Sequence, residues 1–206
     1  FEQNKAVMQV LYDMAKQKNT DIQIVHPPQN IKVNSSNTQF KLGKTEYKTA
    51  LLGKHQAQNA SLAIAALKVI EPKISNESIN SSFSQLRWAG RLEMLSPHIY
   101  YDVAHNFSGV KVMVNFFLEH YPDKNLYGLF ALKGDKDSDI VFKILSQNFD
   151  RLLVTTDKEG LLMPELKLSQ KLNKNGVSNL PMRSVKDGIS EIKKLIKNNG
   201  IGIICL

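Results

Sequence analysis

The polar residues best placed for chemistry follow a short apolar stretch near the middle of the chain. Asp102 ends a strand predicted for residues 98–101, and His105 and Asn106 follow it within one turn. An amphipathic run at helical spacing comes next. In an open α/β sheet, ligands bind outside the carboxyl ends of the strands, where loops carry polar groups. We therefore expect this carboxylate, imidazole and amide to contact a ligand.

Three further polar clusters occupy predicted loops or helix starts. Gln56 and Asn59 are three residues apart, so both amides project from one side of the first turn of a predicted helix. Arg91 follows a glycine in a tight Trp-Ala-Gly-Arg segment, and Gly-Asp-Lys-Asp stands at 134–137 after a predicted strand. Amides can recognise the edge of a base, and a guanidinium can bind phosphate oxygens.

Each cluster also has a purely structural interpretation, which the residues alone leave open. The two amides could cap a loop, and the acidic run could be a solvated turn. Arg91 could pair with Glu93 on the surface, a contact worth under about 1 kcal/mol. Asp102 could cap the following helix, although it lies early for that role, and an isolated histidine such as His105 is more often structural than catalytic.

Several motifs that would identify an enzyme class are absent from the sequence. There is no GxxxxGK[ST] loop, so the phosphate cradle of P-loop enzymes is missing. No GxGxxG follows a predicted strand, which weakens a dinucleotide-binding interpretation, and neither Gly-x-Ser-x-Gly nor His-Glu-x-x-His occurs. The short polar clusters remain as the candidates.

Composition indicates a cytosolic globular protein. The 206 residues are 42% hydrophobic and 22% charged, and they suffice for one large or two small domains. No run of 18 apolar residues or signal peptide is present, so we expect no membrane association. The single cysteine, Cys205, excludes an intrachain disulfide and a cysteine-cluster metal site, which fits a reducing compartment.

The net charge of +8 raises the question of nucleic-acid binding. The basic residues are spread evenly, with ten Lys/Arg against six Asp/Glu in residues 1–85 and 17 against 13 in residues 86–206. No basic arm, zinc-finger spacing or aromatic-rich RNA-binding strand accompanies them. We therefore expect no nucleic-acid partner, and the diffuse positive field would instead attract a small anion such as a nucleotide.

The order of predicted elements changes between the two parts of the chain. The first part is predicted to contain an amphipathic helix (4–18), a strand (21–25), an antiparallel meander (29–50) and two helices (56–70 and 76–86). We expect the helix at 56–70 to bury a stripe made of Leu62, Ala65, Ala66 and Val69.

The second part alternates between strands and helices, which indicates a mostly parallel, doubly wound sheet. Its predicted strands are 98–101, 126–132, 151–155 and 201–206, with a short segment at 182–185, and its helices are 108–120, 138–147, 164–172 and 185–198. The predicted class is therefore α/β, with a small antiparallel sheet preceding the larger one.

In this order, the polar clusters resemble the folylpolyglutamate synthase/dihydrofolate synthase family of Mur-type ATP-dependent amide ligases. The resemblance is carried by LLGKHQAQNASLAIAAL, WAGRLEML, YYDVAHNFSG and LKGDKD. The family pattern is G-x-HQ-x-x-NA-x-x-A, W-x-GR-x-E, D-x-AHN and DKD, and its spacing agrees over residues 51–137. The conjunction is much more specific than any single motif.

The resemblance implies both the domains and the roles of four residues. Residues 1–85 would be the C-terminal part of the central ATPase domain, and residues 86–206 the C-terminal Rossmann-like domain. The four implied contacts are Asn59 with the adenine side of ATP, Arg91 with the phosphates, Asp102 with the ribose hydroxyls and His105 close to the phosphates. Arg91 and His105 are thereby the predicted catalytic residues.

The resemblance also implies the reaction, which is ATP-dependent addition of L-glutamate to a folate or dihydropteroate carboxylate through an acyl phosphate. The cofactors would be ATP and Mg²⁺, the protein a cytoplasmic monomer, and its partners these small molecules. Phe1 is not an initiator methionine, and the chain begins inside a predicted helix. We therefore expect a fragment, with the phosphate loop and magnesium ligands upstream of Phe1, that is inactive alone.

The sequence departs from the family pattern at three places. Val103 and Phe107 stand where the family commonly has glycine and proline, and TTDKEGLLMPEL replaces the usual arginine-containing segment after the strand ending at Thr155. Two alternatives stay open beside the folate ligase. One is a Mur-type ligase acting on a peptidoglycan precursor, and the other is a non-catalytic nucleotide-binding module.

Overall fold

A computed structural model describes residues 1–133 and 138–206. The chain divides into two compact units, Phe1–Arg87 and Trp88–Leu206, which are described separately below. The predicted Gly-Asp-Lys-Asp cluster at 134–137 lies outside the described residues. No helix in the described part of the chain is both long enough and apolar enough to cross a membrane.

The first unit combines three helices with a three-stranded antiparallel sheet in the order β1-β2-β3. Its elements are α1 (Lys5–Gln17), β1 (Gln29–Val33), β2 (Thr38–Leu42), β3 (Thr45–Thr49), α2 (Lys54–Ile70) and α3 (Asn76–Ser84). The predicted helices and meander are therefore present. The strand predicted at 21–25 is wrong, since this segment has no regular structure and leads into Pro27 and Pro28, which cannot donate ladder hydrogen bonds.

The core of the first unit lies between the sheet and helices α2 and α3. Phe40 and Tyr47 stack with ring centroids 5.8 Å apart and pack against Ala57, Ala60, Ile64 and Ile79. The buried stripe predicted for α2 is wrong, because Leu62 and Val69 are 42% and 65% exposed. Alanines on several sides of an alanine-rich helix leave little contrast from which to choose the buried side.

The side chain of Asn80 binds helix α3 to the backbone at the open edge of the small sheet. The Asn80 Oδ1 accepts the N–H of Lys48 at 2.9 Å, and the Asn80 Nδ2 donates to the carbonyl of Glu46 at 3.0 Å. Both backbone groups belong to β3, which has no strand on its outer side in this sheet. The amide of Asn80 thus takes the place of a neighbouring strand for one step of the ladder.

The second unit is a six-stranded sheet in the order β4-β5-β9-β6-β7-β8. Its strands are β4 (Glu93–Ser96), β5 (Ile99–Asp102), β6 (Asn125–Phe130), β7 (Arg151–Val154), β8 (Leu180–Pro181) and β9 (Gly200–Cys205), and its helices α4 (Phe107–His120), α5 (Ser138–Asn148), α6 (Glu165–Lys174) and α7 (Val185–Leu195). Only the β4–β5 pair is antiparallel among these. The predicted α/β class is confirmed.

Strand β9 is the centre of the second unit. It lies between β5 and β6, and all six of its residues are buried. Helix α7 packs onto this region through Ile192, and Gly188 lets α7 approach closely, since a Cβ there would lie 2.5 Å from Leu129 Cδ1. Because α7 returns the chain in the direction opposite to α4, α5 and α6, right-handed crossovers place it on the other face of the sheet. Because β5 and β6 both pair with β9 in parallel, the carboxyl ends of these three strands lie side by side.

Removing the bracing side chain of α3 tests how firmly the sheet edge is held. We expect Asn80→Ala to lower the free energy of unfolding of the first unit by about 1–3 kcal/mol, because two hydrogen bonds of about 0.5–1.5 kcal/mol each are lost. Amide exchange of β3 measures the change. Ser82→Ala, an exposed position on the same helix, is the matched control, and equal exchange in the two variants would contradict a bracing role.

Candidate functional site

The candidate site forms where the turn at residues 88–92 meets the carboxyl end of β5. The N–H of Val103 donates to the carbonyl of Gly90 at 3.0 Å, and the N–H of Leu92 donates to Asp102 Oδ2 at 2.9 Å. The N–H of Gly90 donates in turn to Glu93 Oε2 at 3.0 Å. Backbone and carboxylate groups thus hold the 88–92 turn against the sheet edge that carries Asp102.

The 88–92 turn adopts a backbone conformation that few residues tolerate. Gly90 has φ +69°, and Leu92 has φ +48° although it is a non-glycine residue. A Cβ added to Gly90 would lie 2.4 Å from Val103 Cγ1, so the valine side chain fills the space over the glycine. Val103, a departure from the family pattern, is therefore accommodated by close packing on Gly90.

Asp102 is buried, with 8% of its surface exposed, yet both carboxylate oxygens have donors. Oδ2 accepts from Leu92, and Oδ1 accepts the N–H of Ala104 at 2.8 Å. Burial raises the pKa of the Asp102 carboxyl above its ordinary value, while these two N–H groups and the nearby charge of Arg91 act in the opposite direction. The carboxylate is held in one orientation by its backbone partners.

The remaining predicted residues of the second unit cluster at the same edge. Arg91 is exposed, and Glu93, proposed above as its surface partner, instead accepts the Gly90 N–H. His105 is also exposed, with Nδ1 3.1 Å from the carbonyl of Val103. Asn106 is the N-cap of α4, where its side chain accepts from Gly109 N, so this amide has a structural role.

Asn59 belongs to the first unit and lies on the first turns of α2. It is exposed, and its Nδ2 donates to Gln56 Oε1 at 3.2 Å. Gln56 is buried and its Nε2 lies 3.0 Å from His55 Nε2, so the two amides form one polar chain at the start of the helix. The convergence of Asn59 with Arg91 and Asp102 on one nucleotide stays a prediction.

Three participants at this edge were not singled out from the sequence. Leu92 supplies an N–H to the carboxylate, and Cys205 at the end of β9 donates from Sγ to the carbonyl of Ala104 at 2.8 Å. Thr155, directly after β7, has a fully buried hydroxyl without a hydrogen-bond partner among the described residues. Polar residues directly after apolar strands are the signal that could have indicated Cys205 and Thr155.

The described residues offer no evident metal site. Across 1–133 and 138–206, no group of three or more His, Cys, Asp or Glu side chains is arranged to hold a metal ion. Asp135 and Asp137 fall within the undescribed segment.

Comparison with known proteins gives relatives by both sequence and fold. No protein-family model matches the chain. A dihydrofolate synthase/folylpolyglutamate synthase of Mycobacterium tuberculosis is 30% identical over 112 residues, which cover 51% of this chain and 23% of that protein. The crystal structure of M. tuberculosis folylpolyglutamate synthase complexed with ADP and AMPPCP matches with a TM-score of 0.83 at 21% identity, covering 99% of this chain and 50% of that one.

A peptidoglycan ligase is also similar to the chain. The UDP-N-acetylmuramyl-tripeptide synthetase of Latilactobacillus sakei is 28% identical over 124 residues, which cover 56% of this chain and 23% of that protein. The chain spans half or less of the length of each of these three relatives. The resemblance predicted from the four motifs is confirmed, with Mur-type ligases among the relatives.

The contact between Gly90 and Val103 can be tested with two glycine substitutions. We expect Gly90→Ala to destabilise the second unit by about 2–5 kcal/mol, because a left-handed alanine costs about 1–2 kcal/mol and overlap with Val103 adds about 1–3 kcal/mol. Gly176→Ala is the matched control, since Gly176 has φ +71° and no atom within 4 Å of an added Cβ. Urea denaturation measures both variants.

A double variant separates overlap from backbone strain. When Val103→Gly is combined with Gly90→Ala, the part of the stability loss that comes from overlap should be recovered. The stability loss of Gly176→Ala should not change when Val103→Gly is added, because only the alanine at position 90 contacts Val103. Equal losses in the two alanine variants would contradict the packing described for the 88–92 turn.

The raised pKa of Asp102 predicts a specific pH dependence. Because the folded state binds this proton more tightly, Asp102 contributes stability below the ordinary pKa of 3.8, and this is lost as pH rises through the raised folded pKa. We expect the ¹³C titration midpoint of Asp102 to lie above 3.8, and the stability of the wild type relative to Asp102→Asn to fall across that window. A midpoint at or below 3.8 would contradict the dominance of burial.

Asp157 is an internal reference for the same titration. Desolvation alone would raise the pKa of Asp157, but N–H groups including those of Leu161 and Leu162, at 2.9 and 2.8 Å, outweigh it and lower that pKa. Its midpoint should therefore lie on the opposite side of 3.8 from that of Asp102.

Proposed function

We propose that this chain, which resembles the folylpolyglutamate synthase/dihydrofolate synthase family, forms the C-terminal part of an ATP-dependent ligase. The complete enzyme would add L-glutamate to a folate or dihydropteroate carboxylate in the cytoplasm. Residues 1–85 would complete its central ATPase domain, and residues 86–206 would be its C-terminal Rossmann-like domain. By the resemblance, the phosphate loop and the magnesium ligands would come from outside this chain, whose sequence contains no GxxxxGK[ST] loop.

The observation that carries this proposal is the exposed Arg91 beside the buried Asp102 at the carboxyl edge of a parallel sheet. A guanidinium offers a planar fork of donors that matches phosphate oxygens, and it stays charged at any physiological pH. Open α/β sheets bind their ligands at this edge. The M. tuberculosis folylpolyglutamate synthase that shares this fold over 99% of the chain was crystallised with ADP and AMPPCP.

The other site residues have roles that follow from their chemistry. Each oxygen of Asp102 accepts one N–H and keeps a lone pair with which to accept a ribose hydroxyl. The amide of Asn59 both donates and accepts, as an adenine edge requires. His105, which is exposed and has Nδ1 3.1 Å from the carbonyl of Val103, would contact the phosphates from just before α4.

The reaction would proceed in two displacements. A carboxylate oxygen of the folate attacks the γ-phosphorus of ATP, ADP leaves, and an acyl phosphate forms. The amine of glutamate then attacks the acyl carbon, inorganic phosphate leaves, and the nitrogen loses a proton to form the amide. Such transfers are accelerated mainly by positioning and by neutralisation of phosphate charge, and Arg91 would supply positive charge for this.

A second candidate substrate is a peptidoglycan precursor. It is favoured by the 28% identity to the L. sakei UDP-N-acetylmuramyl-tripeptide synthetase over 124 residues. The order HQ-x-x-N, W-x-GR and D-x-AHN resembles the folate branch more closely.

Substrate competition distinguishes the two candidates. A complete ligase containing this chain, supplied with ATP and glutamate, should release phosphate with dihydropteroate or a reduced folate and not with a UDP-muramyl peptide. Turnover of the muramyl peptide alone would favour the second candidate, and absence of phosphate release with every acceptor would contradict both.

The role of Arg91 is tested by comparing two arginine variants of the same complete enzyme. We expect Arg91→Ala to lower kcat/KM for ATP by about 10²–10³-fold, the usual effect of removing one donor from a developing charge. Arg151→Ala is the matched control, because Arg151 is exposed and begins β7 at the amino end of the strands. Equal activity of the two variants would contradict the assignment of Arg91.

A further inference from the structure

We propose that Asp102 is a positioning residue for Arg91, and that its carboxylate fixes the backbone of the 88–92 turn so that the guanidinium is presented at the carboxyl end of β5. This inference rests on the proposed function in so far as Arg91 is taken to bind phosphate. It adds to Asp102 a role distinct from contact with the ribose.

The turn presents Arg91 between two backbone amides that are each held by a carboxylate. The N–H of Gly90, on one side, donates to Glu93 Oε2 at 3.0 Å. The N–H of Leu92, on the other side, donates to Asp102 Oδ2 at 2.9 Å. The side chain of Arg91 is itself exposed, so its direction is set by the backbone on either side.

The backbone of Leu92 needs such support. Its φ of +48° is uncommon for a residue with a Cβ, and conformations of this kind persist when the surrounding structure over-determines them. The hydrogen bond to Asp102 and the buried side chain of Leu92, 3% exposed, are what hold it here. Without the carboxylate, the peptide that follows Arg91 is free to turn to a commoner conformation.

The carboxylate itself is anchored from the sheet. Its second oxygen accepts the N–H of Ala104, whose carbonyl accepts the thiol of Cys205 at 2.8 Å. Cys205 lies beside Asp102 in the parallel pairing of β5 with β9. The position of Leu92 is therefore fixed by contacts that lead to the central strand of the second unit and does not depend on the Arg91 side chain.

Amide exchange tests the brace without reference to catalysis. In the 206-residue chain, we expect the Leu92 amide to be protected and Asp102→Ala to raise its exchange rate at least about tenfold, since alanine offers no acceptor to either N–H donor. The matched control is Asp150→Ala, because Asp150 Oδ2 accepts the N–H of Leu126 at 2.8 Å. That variant should expose the Leu126 amide and leave Leu92 protected. Unchanged exchange of Leu92 in Asp102→Ala would overturn the inference.

A double-variant cycle in a complete ligase tests the consequence for catalysis. Asp102→Asn should lower kcat/KM for ATP at least about tenfold, because misplacement by about 1 Å can cost up to a hundredfold. The loss should be much smaller in an Arg91→Ala background, and the coupling should persist with 2′,3′-dideoxy-ATP, which has no ribose hydroxyls. The Asp150→Asn variant, with wild-type kinetics, excludes a general effect of lost carboxylate hydrogen bonds.

Each other outcome has a distinct meaning. If Arg91→Ala and Asp102→Asn multiply independently, or if the effect of Asp102→Asn disappears with 2′,3′-dideoxy-ATP, Asp102 acts on the ribose alone and the positioning role is overturned. If Arg91→Ala has no effect on kcat/KM, the assignment of Arg91 under the proposed function fails, and the positioning role fails with it.

Discussion

The hydrogen bonds from the amides of Leu92 and Ala104 to the single carboxylate of Asp102 are the constraint on which the second unit's candidate site depends. They join the 88–92 turn and the segment that follows β5 to Asp102, the last residue of β5. A buried carboxylate is costly unless its lone pairs are satisfied, and backbone N–H groups satisfy it without introducing a second charge. The same contacts that offset the cost of burying the carboxylate therefore also fix the backbone position from which the exposed side chain of Arg91 extends.

The sheet makes this arrangement possible by placing an apolar strand in the middle. The residues of β9 are buried along its whole length, and β5 and β6 pair with it on either side. Because β5 is held by β9 on one side and by the short antiparallel β4 on the other, its carboxyl end is fixed relative to the core. Polar residues that directly follow such a strand are therefore held in place by it, although they lie at the surface.

The sequence predicted the elements whose patterns are strong and missed those that depend on pairing. The alternation of strands and helices after residue 98 predicted the parallel sheet, and the apolar run at 201–206 predicted a strand, whose central position only the structure reveals. Strand β4 was missed because its four residues are short and partly exposed, and because its identity depends on the register with β5. The segment at 21–25 alternates like a strand, yet it has no partner.

The site was predictable in its residue types and less so in its contacts. Asp102, His105 and Arg91 were chosen from their position after a strand or a glycine, and the three lie at one edge of the second unit. That Leu92 adopts a positive φ and donates to Asp102 depends on the hairpin that returns the chain onto β5, which is a tertiary contact. The outward amide predicted at Gln56 is buried for a similar reason, because the first turn of α2 packs into the core of its unit.

The side chain of Asn80 has a further consequence for how copies of the chain behave in solution. An unpaired outer strand is a template on which another molecule can add a strand of its own, and this is a common start of aggregation. By occupying the outward N–H of Lys48 and the outward carbonyl of Glu46, the amide blocks one end of the small sheet against such growth. The protection comes from a helix that follows in sequence, so the sheet is shielded only once α3 has folded back onto it.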